Sequence, residues 1–123
     1  MPRKPTKKSL TNKLDKLCSK IVRSRGSCER CGNDKYEVLQ ACHIFSGTYR
    51  SVRWDCRYNI LCLCAGCHFW AHKNPVHFVE WLKPTMGRNY EELKDRASPT
   101  KNWKVHELEE LHEQLKKEFE EQF

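Results

Sequence analysis

Glycine and proline are scarce in this chain, five of each among 123 residues, and they are scattered singly. That excludes Gly/Ser or Pro-rich linkers and low-complexity tracts, and no internal repeat is visible beyond two pairs of cysteines. No apolar stretch approaches the length of a membrane span, so no membrane association is expected. The charged start Met1-Pro-Arg-Lys-Pro-Thr-Lys-Lys has no apolar run behind it, so no secretory signal is expected either. The eight cysteines therefore read as reduced, intracellular thiols rather than a secreted disulfide framework. Apolar residues are also in short supply, at 38% against 32% charged. A chain of this length and composition buries only a modest core and needs a further source of stability.

The cysteine spacing supplies one. Cys28-Glu29-Arg30-Cys31 and Cys64-Ala65-Gly66-Cys67 are two CxxC pairs separated by a strand, loop, strand segment. Each such turn points both sulfurs inward, and two turns facing each other close a tetrahedral zinc site. Structural zinc contributes roughly 10 kcal/mol or more in small domains, because the unfolded chain has no such site. Cys18, Cys42, Cys56 and Cys62 lack metal-ligand spacing and are assigned to packing.

Positive charge is unevenly placed. Residues 1–25 carry nine Lys/Arg against Asp15 alone, whereas residues 103–123 carry three Lys against seven Glu. A basic arm that includes Lys7 and Lys8, ahead of a cationic middle, is the electrostatic footprint of a phosphate-backbone partner, and equally of a solvated tail that aids solubility.

Periodicity gives the organisation. Leu10, Leu14, Leu17, Cys18, Ile21 and Val22 recur at three- and four-residue steps, predicting an amphipathic helix that ends at Arg25-Gly26-Ser27. A zinc knuckle follows, with Gly32-Asn33 where positive φ is easy. Residues 36–45 and 59–63 read as strands, joined by a polar loop containing Tyr49, Arg50, Arg53, Trp54 and Arg57. After the second knuckle a helix carries His68 and His72 on one face. A further helix is expected from Asn74 as cap, with Pro75 at its first position, to Lys83 before Pro84. A short one is expected at 89–97. The last helix places Val105, Leu108, Leu111, Leu115 and Phe119 on one stripe, which either covers the core or recruits a partner. Trp70, Phe78, Trp81 and Trp103 are expected in the core, and His77, His106 and His112 are left without a role.

His43 stands at the expected end of the first strand, where an imidazole can act as a base near neutral pH. His68 and His72 can reach a single divalent ion. Asn59 can hydrogen-bond across the loop and pin the backbone that holds His43. Arg50, Arg53 or Arg57 can grip a phosphate through a planar fork.

This order of CxxC, His, Asn, and CxxC-His with a further His four residues on resembles the HNH endonucleases of the ββα-metal fold, over residues 28–73. Gln40-Ala41-Cys42-His43, the basic loop and Arg53-Trp54-Asp55 look closest to small phage recombination nucleases of the NinG (Rap) type. The resemblance implies an α+β, zinc-stapled ββα-metal core at residues 26–74, between a basic arm at 1–25 and a helical extension at 75–123. It implies His43 as general base, Asn59 as the central Asn, and His68 and His72 as ligands of one catalytic divalent metal (magnesium, manganese, nickel or zinc). DNA would be nicked or cut to 5′-phosphate and 3′-hydroxyl ends, in the cytoplasm of a bacterial host. The chain departs from most HNH proteins at Cys42, where a carboxylate or His usually supplies a further ligand. A thiolate there would favour a softer ion, and a neutral thiol would leave two histidines and waters. Two rival readings are a non-catalytic zinc module that binds nucleic acid, and an accessory factor that uses the last helix to form a homodimer or to recruit a recombination protein.

Overall fold

The computed structural model describes residues 4–122; the first three residues of the expected basic arm and Phe123 lie outside the described range. Among the described residues the chain is α+β, with five α-helices and one two-stranded antiparallel sheet.

Helix α1 (Lys7–Arg23) starts at a capping box in which the Thr6 hydroxyl accepts from the Ser9 N–H at 3.1 Å and the Ser9 hydroxyl accepts from the Thr6 N–H at 3.0 Å. Its apolar positions are spent as the periodicity requires, with Leu10, Leu14, Cys18 and Val22 buried. The chain leaves it through Gly26, whose φ of +87° suits glycine.

Strands β1 (Leu39–His43) and β2 (Ile60–Cys64) pair from Leu39 with Cys64 to His43 with Ile60. The first strand is shorter than expected, because residues Tyr36–Val38 form a 3-10 turn instead. Alternation of side chains divides β1 between two neighbours. Ala41 and His43 line a cleft with Asp15 and Ser19 of α1, while Gln40 reaches His68 in helix α2 (Ala65–Lys73). The sheet thus lies between α1 and α2, and Cys62 and Leu63, pointing to its opposite faces, are both fully buried.

Helix α3 (Pro75–Met86) corrects two expectations. Asn74 stands at its N-cap position, as expected, but its side chain makes no capping bond: the amide donates back to the Trp70 carbonyl at 3.1 Å, closing α2 instead. Nor does Pro84 end it. The helix absorbs the missing amide and runs on to Met86, closed by Gly87, whose φ is +58° and whose N–H donates to the Lys83 carbonyl at 2.8 Å. Helix α4 (Arg88–Arg96) follows, then α5 (Val105–Glu121). Leu108 is buried, and Val105, Leu111 and Leu115 pack on the same core as α1, so the stripe of α5 covers apolar surface of its own chain.

Candidate metal centre and histidine site

The two knuckles converge. The sulfurs of Cys28, Cys31, Cys64 and Cys67 all lie within 4.8 Å of one another, and Cys31 Sγ is 3.7 Å from Cys64 Sγ. A tetrahedron of sulfurs about 2.3 Å from a zinc ion has edges of about 3.8 Å, so the four thiols are positioned to hold a metal ion and their spacing is compatible with zinc.

Local structure explains the convergence. In the first knuckle Gly32 adopts φ +79° and its N–H donates to the Cys28 carbonyl at 2.9 Å, while the Cys31 N–H points at Cys28 Sγ, 3.5 Å away. In the second, Cys64 ends β2 and is also the N-cap of α2, its Sγ accepting from the Cys67 N–H at 3.5 Å. Backbone N–H groups aimed at sulfur favour the thiolate. Burial opposes the charged form of Cys28, but the amides of Cys31, Cys64 and Arg30 outweigh it and bring the thiol down to about 6. Burial pushes the Cys67 thiol up to about 12, against the pull of Arg30. Arg30 is the neighbouring cation: its Nη1 donates to Cys67 Sγ at 3.4 Å while its guanidinium lies over the Trp70 ring, 3.5 Å from the centroid. Sequence reasoning passed over this residue because a lone Arg inside a CxxC turn carries no signal.

His68 follows Cys67 directly in α2, whereas His43 stands at the end of the sheet away from Cys64. His68 and His72, one helical turn apart on α2, have their Nε2 atoms 3.0 Å from each other. His68 Nδ1 lies 2.7 Å from Gln40 Oε1. A carbonyl oxygen only accepts, so Nδ1 carries the proton and Nε2 keeps its lone pair toward His72. Burial, then the neighbouring His72 and His43, hold the His68 pKa below its ordinary value. Gln40 was read from the sequence only as part of the motif around His43 and given no role of its own, since its partner is 28 positions away.

His43 Nε2 is 2.9 Å from the Arg53 carbonyl, so Nε2 carries the proton and Nδ1 the lone pair. Arg53 does not reach outward: its Nε and Nη2 donate to Asp15 at 3.2 and 2.8 Å, and Trp54 Nε1 donates to the same carboxylate at 2.9 Å. Arg50 and Arg57 are exposed, the latter lying over the Tyr58 ring. Lys7 reaches Asn102 at 3.3 Å, and Lys8 is exposed.

Asn59 is completely buried, and all its side-chain hydrogen-bonding groups are used. Its Oδ1 accepts from the Phe45 N–H at 2.8 Å, and its Nδ2 donates to the carbonyls of Phe45 and Val52, both at 2.9 Å. One side chain thereby stitches together both limbs of the 44–59 connection between the strands. Cys42 is 1% exposed, and burial pushes its thiol up to about 12. Among the described residues the four cysteines are the one cluster of three or more metal-ligating side chains; Cys42 does not join His68 and His72 in another.

Comparison with protein-family models, with characterised proteins and with solved structures found no match to this chain.

Proposed function

We propose that the chain is a metal-dependent DNA endonuclease that hydrolyses phosphodiester bonds to 5′-phosphate and 3′-hydroxyl ends. The observation that carries the reading is the tautomer of His43. With Nε2–H committed to the Arg53 carbonyl, Nδ1 is the nitrogen left to take a proton, the form a general base requires.

His68 and His72 would hold one divalent cation through their Nε2 atoms. Their 3.0 Å separation is about the edge of an octahedron with bonds of about 2.1 Å. Cys42, buried and neutral, would leave the remaining positions to water and phosphate oxygen. Such an ion supplies neutralisation for the charge that builds on the phosphorane and on the departing 3′ oxygen. The protein's own share is acid–base and positional. His43 Nδ1 accepts a proton from water as its oxygen bonds to phosphorus; the bond from phosphorus to O3′ breaks, and O3′ leaves with a proton from solvent. Asn59 touches no substrate and acts as a positioning residue, fixing the connection from which Arg53 offers its carbonyl. Arg50 and Arg57 are the loop cations free to meet phosphate, since Arg53 is closed on Asp15. A zinc ion on the four cysteines would be the staple of the fold. Branched or single-stranded DNA of phage recombination is the substrate that the family resemblance nominates.

The test is cleavage of supercoiled plasmid and of a synthetic four-way junction. Protein freed of weakly bound metal is titrated with magnesium, manganese, nickel and zinc, beside His43→Ala. Cleavage by the parent with loss in the variant, DNA binding being kept by both, is the expected result. A second reading, a zinc module that binds nucleic acid without cutting it, draws on the buried neutral Cys42 and predicts binding, no cleavage and a single metal per chain.

A further inference from the structure

The basic residues of α1 are not spread evenly around it. Stepping by three and four from Lys8 gives Asn12, Asp15 and Lys16, Ser19 and Lys20, and Arg23, a band across the solvent face of the helix that the exposed Lys13 extends. Lys8, Asn12, Lys16 and Lys20 are exposed along it. One edge of that band reaches the proposed base: Asp15 and Ser19, together with Cys18 of the same helix, line a cleft of about 140 Å³ with His43, Ala41 and Arg53. At the far end, Arg23 lies over the exposed ring of Tyr36, 5.4 Å from its centroid, just before β1 begins. Helix and strand therefore run antiparallel, Asp15 beside the His43 end and Arg23 beside the start.

Charge on the next helix closes off the alternative. Helix α5 packs against α1 and carries Glu109, Glu110, Glu113, Glu118, Glu120 and Glu121 exposed, a surface that repels phosphate. A polyanion meeting α1 is steered away from α5 and onto the flank beside His43.

We infer that this flank, with Lys8, Lys16, Lys20 and Arg23, is the surface on which the sugar–phosphate backbone of DNA lies as it crosses His43. The inference rests on the nuclease reading for the meaning of that crossing, but not for the binding itself. From Lys8 to Arg23 the flank spans about 22 Å at 1.5 Å per residue, the rise of about six base pairs. Asp15 sits near the middle of the row, its charge cancelled by Arg53, so the row stays positive past the base. The contacts are to phosphate and carry no sequence information.

The test measures binding of a short fluorescein-labelled duplex, in buffer without divalent cation, as salt is raised. The variant K8Q/K16Q/K20Q, all at exposed positions, is compared with K94Q/K116Q/K117Q, which removes the same charge from exposed positions on α4 and α5. Each released phosphate contact contributes about 0.9 to the slope of log affinity against log salt. The α1 variant is expected to lose roughly two to three from that slope, and the control almost nothing. Equal losses in both variants, or no loss in the first, would overturn the inference, as would absence of salt-dependent binding in the parent. Failure of cleavage in a separate assay with each of magnesium, manganese, nickel and zinc, with the α1-dependent slope intact, would sink the nuclease reading and leave this surface standing.

Discussion

His43 and Arg53 are joined through the main chain of one and the ring of the other: Nε2–H of His43 donates to the Arg53 carbonyl at 2.9 Å, while the Arg53 side chain is held at Asp15. The orientation of the ring thus depends on a carboxylate in a different helix. Asp15→Ala is expected to leave His43 chemically intact but badly aimed. Small misplacements cost about a hundredfold in rate, so cleavage should fall by roughly ten- to a hundredfold while zinc content and DNA affinity hold. An unchanged rate would show that the ring does not need the clamp.

Asn59 offers a sharper stability test. Asn59→Ala strands the Phe45 N–H and leaves the Phe45 and Val52 carbonyls without this partner. Unmet buried groups cost about 1–3 kcal/mol each, so urea denaturation should show a loss of roughly 2–5 kcal/mol. A loss below about 1 kcal/mol would mean that water repairs the site.

The four-cysteine site predicts one tightly held zinc per chain by elemental analysis of dialysed protein. Cys64→Ser should remove it and abolish cooperative unfolding, because a structural zinc of roughly 10 kcal/mol exceeds the stability of most small domains. Retention of zinc with a normal transition would refute the assignment.

Gln40 makes a prediction readable without any activity. Long-range proton–nitrogen spectra should find His68 protonated at Nδ1 in the parent and in Gln40→Glu, which keeps an acceptor, and shifted toward Nε2–H in Gln40→Met. Affinity for a divalent ion at the histidine pair should fall about 10–100-fold in the Met variant. The same tautomer in all three proteins would remove Gln40 from the account.

Glu107 gives the pH dependence. Its carboxylate accepts the Lys104 N–H at 3.0 Å and meets Lys101, and these hold its pKa below the usual 4.5. A carboxyl whose folded pKa is depressed stabilises above its unfolded value and loses that contribution as the pH falls through the folded one. The gap in melting temperature between parent and Glu107→Gln should be full at neutral pH and narrow on acidification. A gap that widens in acid would contradict the cap.

The elements that were legible in the sequence are those whose signal is local. The CxxC turns, the apolar steps of α1 and the Gly26 stop each announce themselves within a few residues. The places that misled were decided by longer-range terms. Pro84 reads as a breaker, yet α3 continues past it to Met86, with Gly87 closing the end. Asn74 reads as a cap, yet its amide is drawn back to Trp70. Arg53 reads as a phosphate fork because nothing near it in sequence reveals Asp15, 38 positions earlier. Gln40 and Arg30 stand inside motifs read from the sequence, but their own roles were hidden for the same reason: each gains meaning only from a partner brought close by the fold.

Helix α2 begins on two of the thiolates and ends one turn beyond on the two imidazoles, so Cys64, Cys67, His68 and His72 share one short rigid rod. The position of the imidazoles therefore depends on how the second knuckle fixes the first turn of that rod. A metal ion held by the four cysteines would anchor that turn, so stripping it is expected to disturb the histidine pair as well as the knuckles.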